Sequence, residues 1–199
     1  MPRDEDYTRK KLAAYLPTMW TAAVKGVRES LDDYPKTAHK HRKNTTRSIT
    51  RDHIVDNLRG ELMLDPHVTI KDRNQTTYFE VMGEFRVMAK MADDAGNVRL
   101  NPNQTSLAYE DQREAQLFAS EDLDEATHLF LSYVPNTQSP RDPFVYVICP
   151  KPGGHHWMFE IEPPAAATVP EIKPNDAGDA GDSIVRIPAQ PKTDDESKD

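Results

Sequence analysis

The stretch GGHHWMFEIE, Gly153 to Glu162, sets adjacent histidines beside two glutamates, side chains that bind divalent metals or carry protons. Chelation needs such ligands to converge on one point. In an extended strand His156 and Glu160 stand roughly 13 Å apart, too far for one ion. His128 or His155 would have to complete a site across strands, and no HExxH spacing is present. No metal site is expected, and no cofactor.

A second grouping is carboxylates near a lysine. Glu80, Glu84 and Lys90, with Asp72 as a further carboxylate, are the residue types of a magnesium-dependent nuclease. Glu84 and Lys90 are six residues apart, which does not fit the usual acid-x-Lys arrangement. Cys149 ends an apolar strand beside Pro150, so burial as an inert thiol is expected. There is no GxSxG elbow and no glycine-rich phosphate loop. No catalytic residue is assigned.

The remaining grouping is basic. KTAHKHRKNTTRSITR, residues 36–51, holds Lys36, Lys40, Arg42, Lys43, Arg47 and Arg51 with no acid among them. Such a run can neutralise phosphates, with strongly salt-dependent binding, or meet an acidic protein surface. It lacks interleaved aromatics on which bases would stack. Lys40, Arg42, Lys43, Arg47 and Arg51 are the candidate contact residues for a partner or a nucleic acid.

These groups must be positioned by secondary structure, and the hydrophobic period changes along the chain. Over 5–34, Trp20, Val24, Val27, Leu31 and Tyr34 recur at helical spacing, with Pro17 starting a second helix or kinking one. A helix over 48–63 buries Ile54, Val55, Leu58 and Leu62, with Ser48 or Thr50 as N-cap. Period two then takes over at VTIKD (68–72), TYFEVM (77–82) and EFRVMAKM (84–91). After loop chemistry at 93–104 and a helix over 106–118, three more strands follow: 127–134, 144–149 and 156–162. Short connections favour antiparallel neighbours. The expected fold class is therefore α+β: N-terminal helices, then two antiparallel three-strand meanders separated by a helix, in one sheet or two. In the last strand Trp157, Phe159 and Ile161 face the core, and His156, Met158, Glu160 and Glu162 share the other side.

Composition sets the outer bounds. The formal charge is −8 and mean hydropathy −0.76, which argues against overall attraction to nucleic acid or anionic lipid. A single cysteine excludes an internal disulfide and suits a reducing compartment. No run of about 18 apolar residues and no apolar leader at the start point to a cytoplasmic protein without a membrane partner. From Pro163 on, proline, alanine, aspartate and glycine dominate; too little apolar surface is available to offset backbone entropy, so a disordered acidic tail is expected, with Ser183–Ile187 a β-prone island. The organisation is a helical segment with the basic stretch over 1–47, an α+β core over 48–163 and the tail over 164–199.

RSITRDHIVDNL, TTYFEVMGEFRVMAKM, THLFLSYVP, ICP and HHWMFEIEPP together resemble a group of small bacterial and prophage proteins encoded beside helix-turn-helix regulators, in arrangements like toxin–antitoxin pairs. The resemblance spans roughly residues 44–164 and carries no catalytic residues. It implies a cognate protein partner, with a helix-turn-helix regulator as the natural candidate. The expectation is a toxin–antitoxin-like or phage-defence component working by protein contact. The alternative is a nucleic-acid-binding or nuclease-like protein using residues 36–51.

Overall fold

The computed structural model describes residues 1–33, 42–73, 76–98, 104–112 and 126–164. Lys36, Lys40, Tyr34 and all but the first residue of the expected tail, including Ser183–Ile187, lie outside them. The N-terminal unit spans Met1–Ala165.

Helix α1 (Glu5–Leu12) begins at Asp4, whose Oδ1 accepts the Tyr7 N–H at 2.8 Å. Acids fill its first turn and bases its last, matching the helix dipole. Helix α2 (Leu16–Asp33) carries Pro17 as its second residue, where a missing N–H breaks no intrahelical bond, so the expected interruption falls at 13–15. Of the expected stripe Val24 and Val27 are buried, Trp20 is half-buried and Leu31 is exposed; Met19, Ala22 and Ala23 complete the buried face.

Helix α3 (Lys43–Leu62) starts earlier than the expected Ser48, with Arg42 at its N-cap. The proposed caps are interior instead. Thr50 Oγ1 bonds back to the Thr46 carbonyl at 3.0 Å and reaches Ser30 Oγ on α2 at 3.0 Å, so its hydroxyl is satisfied within the helix pair. Ile54, Leu58 and Leu62 recur every four residues and are buried. α2 crosses α3 closely at Gly26: a Cβ there would lie 2.6 Å from the Ile54 backbone nitrogen.

Six strands form one sheet in sequence order: β1 (Val68–Arg73), β2 (Thr76–Val81), β3 (Phe85–Met91), β4 (Thr127–Val134), β5 (Phe144–Lys151) and β6 (Gly154–Glu160). β1 to β3 and β4 to β6 are the two expected antiparallel meanders. They join through a parallel β3–β4 pair, which the 35-residue connection from Ala92 to Ala126 is long enough to allow. The β2–β3 hairpin turns through Met82 and Gly83, both at positive φ (54° and 67°), with the Glu84 N–H closing on the Val81 carbonyl at 3.1 Å. Within the 92–126 connection lies α4 (Gln104–Glu110), at the site of the expected 106–118 helix; residues 113–125 are outside those described.

Alternation divides the sheet into two faces. One bears Phe79, Val81, Phe85, Val87, Leu129, Leu131, Val145 and Val147, packed in one cluster with the apolar faces of α1, α2 and α3. The other bears Tyr78, Met88, Phe130 and Ile148, covered in part by Tyr109 of α4. Phe159 and Ile161 are buried in the first cluster as expected, while Trp157 is half-buried at its margin, stacked on Phe159 at 5.9 Å and donating Nε1–H to the Arg3 carbonyl at 3.0 Å.

Candidate functional site

Residues 43–51 of the basic stretch form the N-terminal half of α3, and 36–41 lie outside the described residues. Arg42 is exposed at the cap, Lys43 opens the helix, and Arg47 and Arg51 are one turn apart on the same side. Lys40 lies outside the described residues. Arg47 crosses to the end of β3, where its Nε–H donates to the Met91 sulfur at 3.2 Å. Arg51 bonds to Asp52 Oδ1 through Nε (3.0 Å) and Nη2 (2.7 Å).

Lys90, next to Met91 on β3, falls by alternation on the α4 face of the sheet, opposite Arg47, and joins neither the basic end of α3 nor the nuclease grouping. It is half-buried and stands in register with Ser132, whose buried hydroxyl has no hydrogen-bond partner. Burial, then the charge of Arg51, push the Lys90 ammonium below its usual pKa. Beneath the arginines, burial pushes the Tyr133 phenol up to about 12, against the downward pull of Thr50, Arg47 and Arg51. Among the described residues Arg42, Arg47 and Lys90 have no carboxylate partner. Elsewhere Arg28, Arg59, Lys71, Arg86 and Arg141 each have one.

The carboxylates of the nuclease reading are not brought together. Asp72 shares the helix-side face of β1 with Val68 and Ile70 and is held by Arg59 Nη2 at 2.8 and 2.9 Å and by the Thr77 hydroxyl at 2.6 Å. Glu80 is on the opposite face. Its Oε1 accepts from Arg86 Nε (3.2 Å) and Nη2 (2.9 Å), and its Oε2 from Lys71 Nζ (2.7 Å). Glu84, beyond the β2–β3 turn, accepts from the Tyr7 hydroxyl at 2.5 Å and Lys11 Nζ at 3.2 Å, which lower its pKa. Each carboxylate thus already faces a cation, and no cluster of three metal-ligating residues exists among the described residues.

A buried polar row was missed. Glu80, Arg86 and His128 are register partners on β2, β3 and β4, all on the α4 face and all nearly inaccessible. Tyr109 of α4 stacks on the His128 ring at 4.4 Å, and its hydroxyl reaches the carbonyls of Arg86 (2.7 Å) and Leu129 (2.8 Å), tying down the parallel pair. Gln112 accepts the His128 N–H at 2.8 Å and donates to the carbonyls of His128 (3.1 Å) and Pro150 (3.0 Å), completing backbone bonds beyond the β4–β5 ladder. Burial holds the His128 imidazole down at about 4 and lifts the Cys149 thiol to about 12. Near neutral pH the buried thiol stays protonated and the buried imidazole uncharged, and the printed contacts of the row are all made within the fold. Strand alternation could have flagged these positions as inward-facing. Their adjacency depends on the parallel β3–β4 pairing, which no local pattern encodes.

The adjacent histidines are separated by a β-bulge. The register slips so that Trp157 pairs Cys149 and His155 pairs Pro150, leaving His156 as the extra, exposed residue. His155, not His156, therefore shares the face of Met158: both approach Gly96. Simple alternation assigned the wrong histidine because a bulge inverts parity. No helix among the described residues is long and apolar enough to cross a membrane. No protein-family model, no curated protein and no solved structure matches the chain.

Proposed function

We propose that the chain works by contact with a protein partner, as one member of a two-gene module of the toxin–antitoxin or phage-defence kind, and that the partner presents acidic side chains to the basic end of α3. A helix-turn-helix regulator encoded alongside is the partner class in this reading, and the cytoplasm is where the pair operates. The observation that carries it is that Arg42 and Arg47, at the start of α3 and within a run that holds no acid, have no carboxylate partner among the described residues. Adjacent positive charge raises the energy of the free surface, and an acidic partner relieves it while accelerating encounter.

The test uses the full chain and a variant with Lys40, Arg42, Lys43 and Arg47 changed to Ala, titrated near physiological salt with a hexaglutamate peptide, duplex DNA, single-stranded DNA and RNA. Protein contact predicts salt-sensitive peptide binding that the variant loses, and weak nucleic-acid binding by both. Submicromolar nucleic-acid binding that the variant loses, with a salt slope reduced by nearly one unit per lost phosphate contact, overturns the proposal in favour of a nucleic-acid binder.

A further inference from the structure

On the α4 face of the sheet, remote in sequence from the basic stretch, is a cavity of about 220 Å³. Its floor is apolar: Phe130 of β4 and Ile148 of β5, both buried. One wall is the 93–98 loop, which Asp93 holds by accepting the N–H groups of Ala95 (3.0 Å) and Asn97 (2.8 Å), while its other oxygen accepts the Asn97 amide at 3.2 Å. The opposite rim is the Gly153–Gly154 turn, where a Cβ would meet nothing within 4 Å. Glu110 of α4 supplies the charged group.

Two polar groups here have no role in the fold. The half-buried Glu110 carboxylate has no cation partner among the described residues, in contrast to Glu80, Glu84 and Asp72. His155 Nδ1 is buried with no hydrogen-bond partner. His155 does not line the cavity; its ring packs behind Gly96, with Cε1 3.5 Å from the position of a Cβ there. A carboxylate without a cation partner over an apolar floor forms a binding site in need of a donor.

We infer that this cavity binds a small organic cation, a protonated amine on a short flat apolar body, with the body over Phe130 and Ile148 and the ammonium on Glu110. The volume suits a molecule of about ten non-hydrogen atoms. Burial, then Asp111 beside it, raise the Glu110 pKa, and an incoming cation opposes both by favouring the carboxylate form.

Benzylamine and its neutral counterpart benzyl alcohol are the probes, added to the full chain and followed by amide chemical shifts. Saturable shifts centred on Gly96 and Gly154 are expected, with benzylamine binding at least about tenfold more tightly than the alcohol. Glu110→Gln, with an unchanged Tm, should erase that preference, and Gly154→Phe should block both probes. Lowering the pH through the Glu110 titration should weaken benzylamine alone. Absence of saturable shifts at these glycines, or a preference for the amine that survives in Glu110→Gln, overturns the assignment.

Discussion

Glu80 tests whether the buried polar row is scaffold or a site, because the two roles predict opposite consequences for one substitution. Glu80 is 5% exposed and Arg86 1%. Glu80→Gln preserves volume but removes the charge that Arg86 Nε and Nη2 contact at 3.2 and 2.9 Å, and turns an acceptor into a donor facing cations. Breaking one side of such a buried pair costs about 3–5 kcal/mol. Lys71, 41% exposed at its side chain, can return to water, so its share is under about 1 kcal/mol. For a unit of this size each kcal/mol lowers Tm by about 2–4 °C, giving a loss of roughly 6–20 °C. Replacing both partners, Glu80→Leu with Arg86→Met, should be far milder than either single change, because the double variant has no buried charge left uncompensated at this position. Circular-dichroism melts of the four proteins supply the cycle. A Glu80→Gln protein melting within about 2 °C of the parent, or a double variant worse than the summed singles, refutes the scaffold reading and returns Glu80 to the list of candidate ligands.

Gly26→Ala should lower the urea midpoint by an amount equivalent to about 1–3 kcal/mol, and Ile54→Ala should not rescue it, since the new Cβ meets the Ile54 backbone nitrogen at 2.6 Å as well as the side chain. His128 should make stability fall on acidification: its folded pKa of about 4 is below the ordinary 6.5, so the unfolded chain takes up the proton first and stability is lost as pH drops from 6.5 towards 4. The loss approaches about 3 kcal/mol, and chemical denaturation of His128→Gln across that window should lack this component of the slope; equal slopes would show that His128 does not titrate abnormally.

What could be read from the sequence follows from the range of the forces involved. Strands 127–134 and 144–149 were legible because alternation and β-branched content are local properties, and the β5–β6 turn because Gly153 supplies the positive φ a tight hairpin needs. The start of α3 was not. Its first turn has no side-chain cap bond to mark it, and Thr46 and Thr50 look like caps yet bond back within the helix. The parallel β3–β4 pair was beyond local reading, and with it the meeting of Arg86 and His128. The candidate contact surface was half legible: Arg47 and Arg51 were named from their charge, whereas nothing local shows that Arg47 reaches Met91 at the end of β3.

The distribution of ion pairs explains why positive charge persists at that end of an acidic chain. Several acids of the described body are tied to cations that fix its architecture: Glu84 links α1 to the β2–β3 turn, Asp72 links β1 to α3, and Asp32 and Asp142 link α2 to the segment before β5. Each tether takes a carboxylate out of circulation at a point set by the fold, and Arg42 and Arg47 at the start of α3 receive none. Satisfying these cations internally would have required an acid on β3 or on the first turns of α3, and from Lys36 to Arg51 the chain supplies no acid at all. The acidic partner proposed above would supply the missing counter-charge, and the acidic net charge of the chain disfavours nucleic acid in that role.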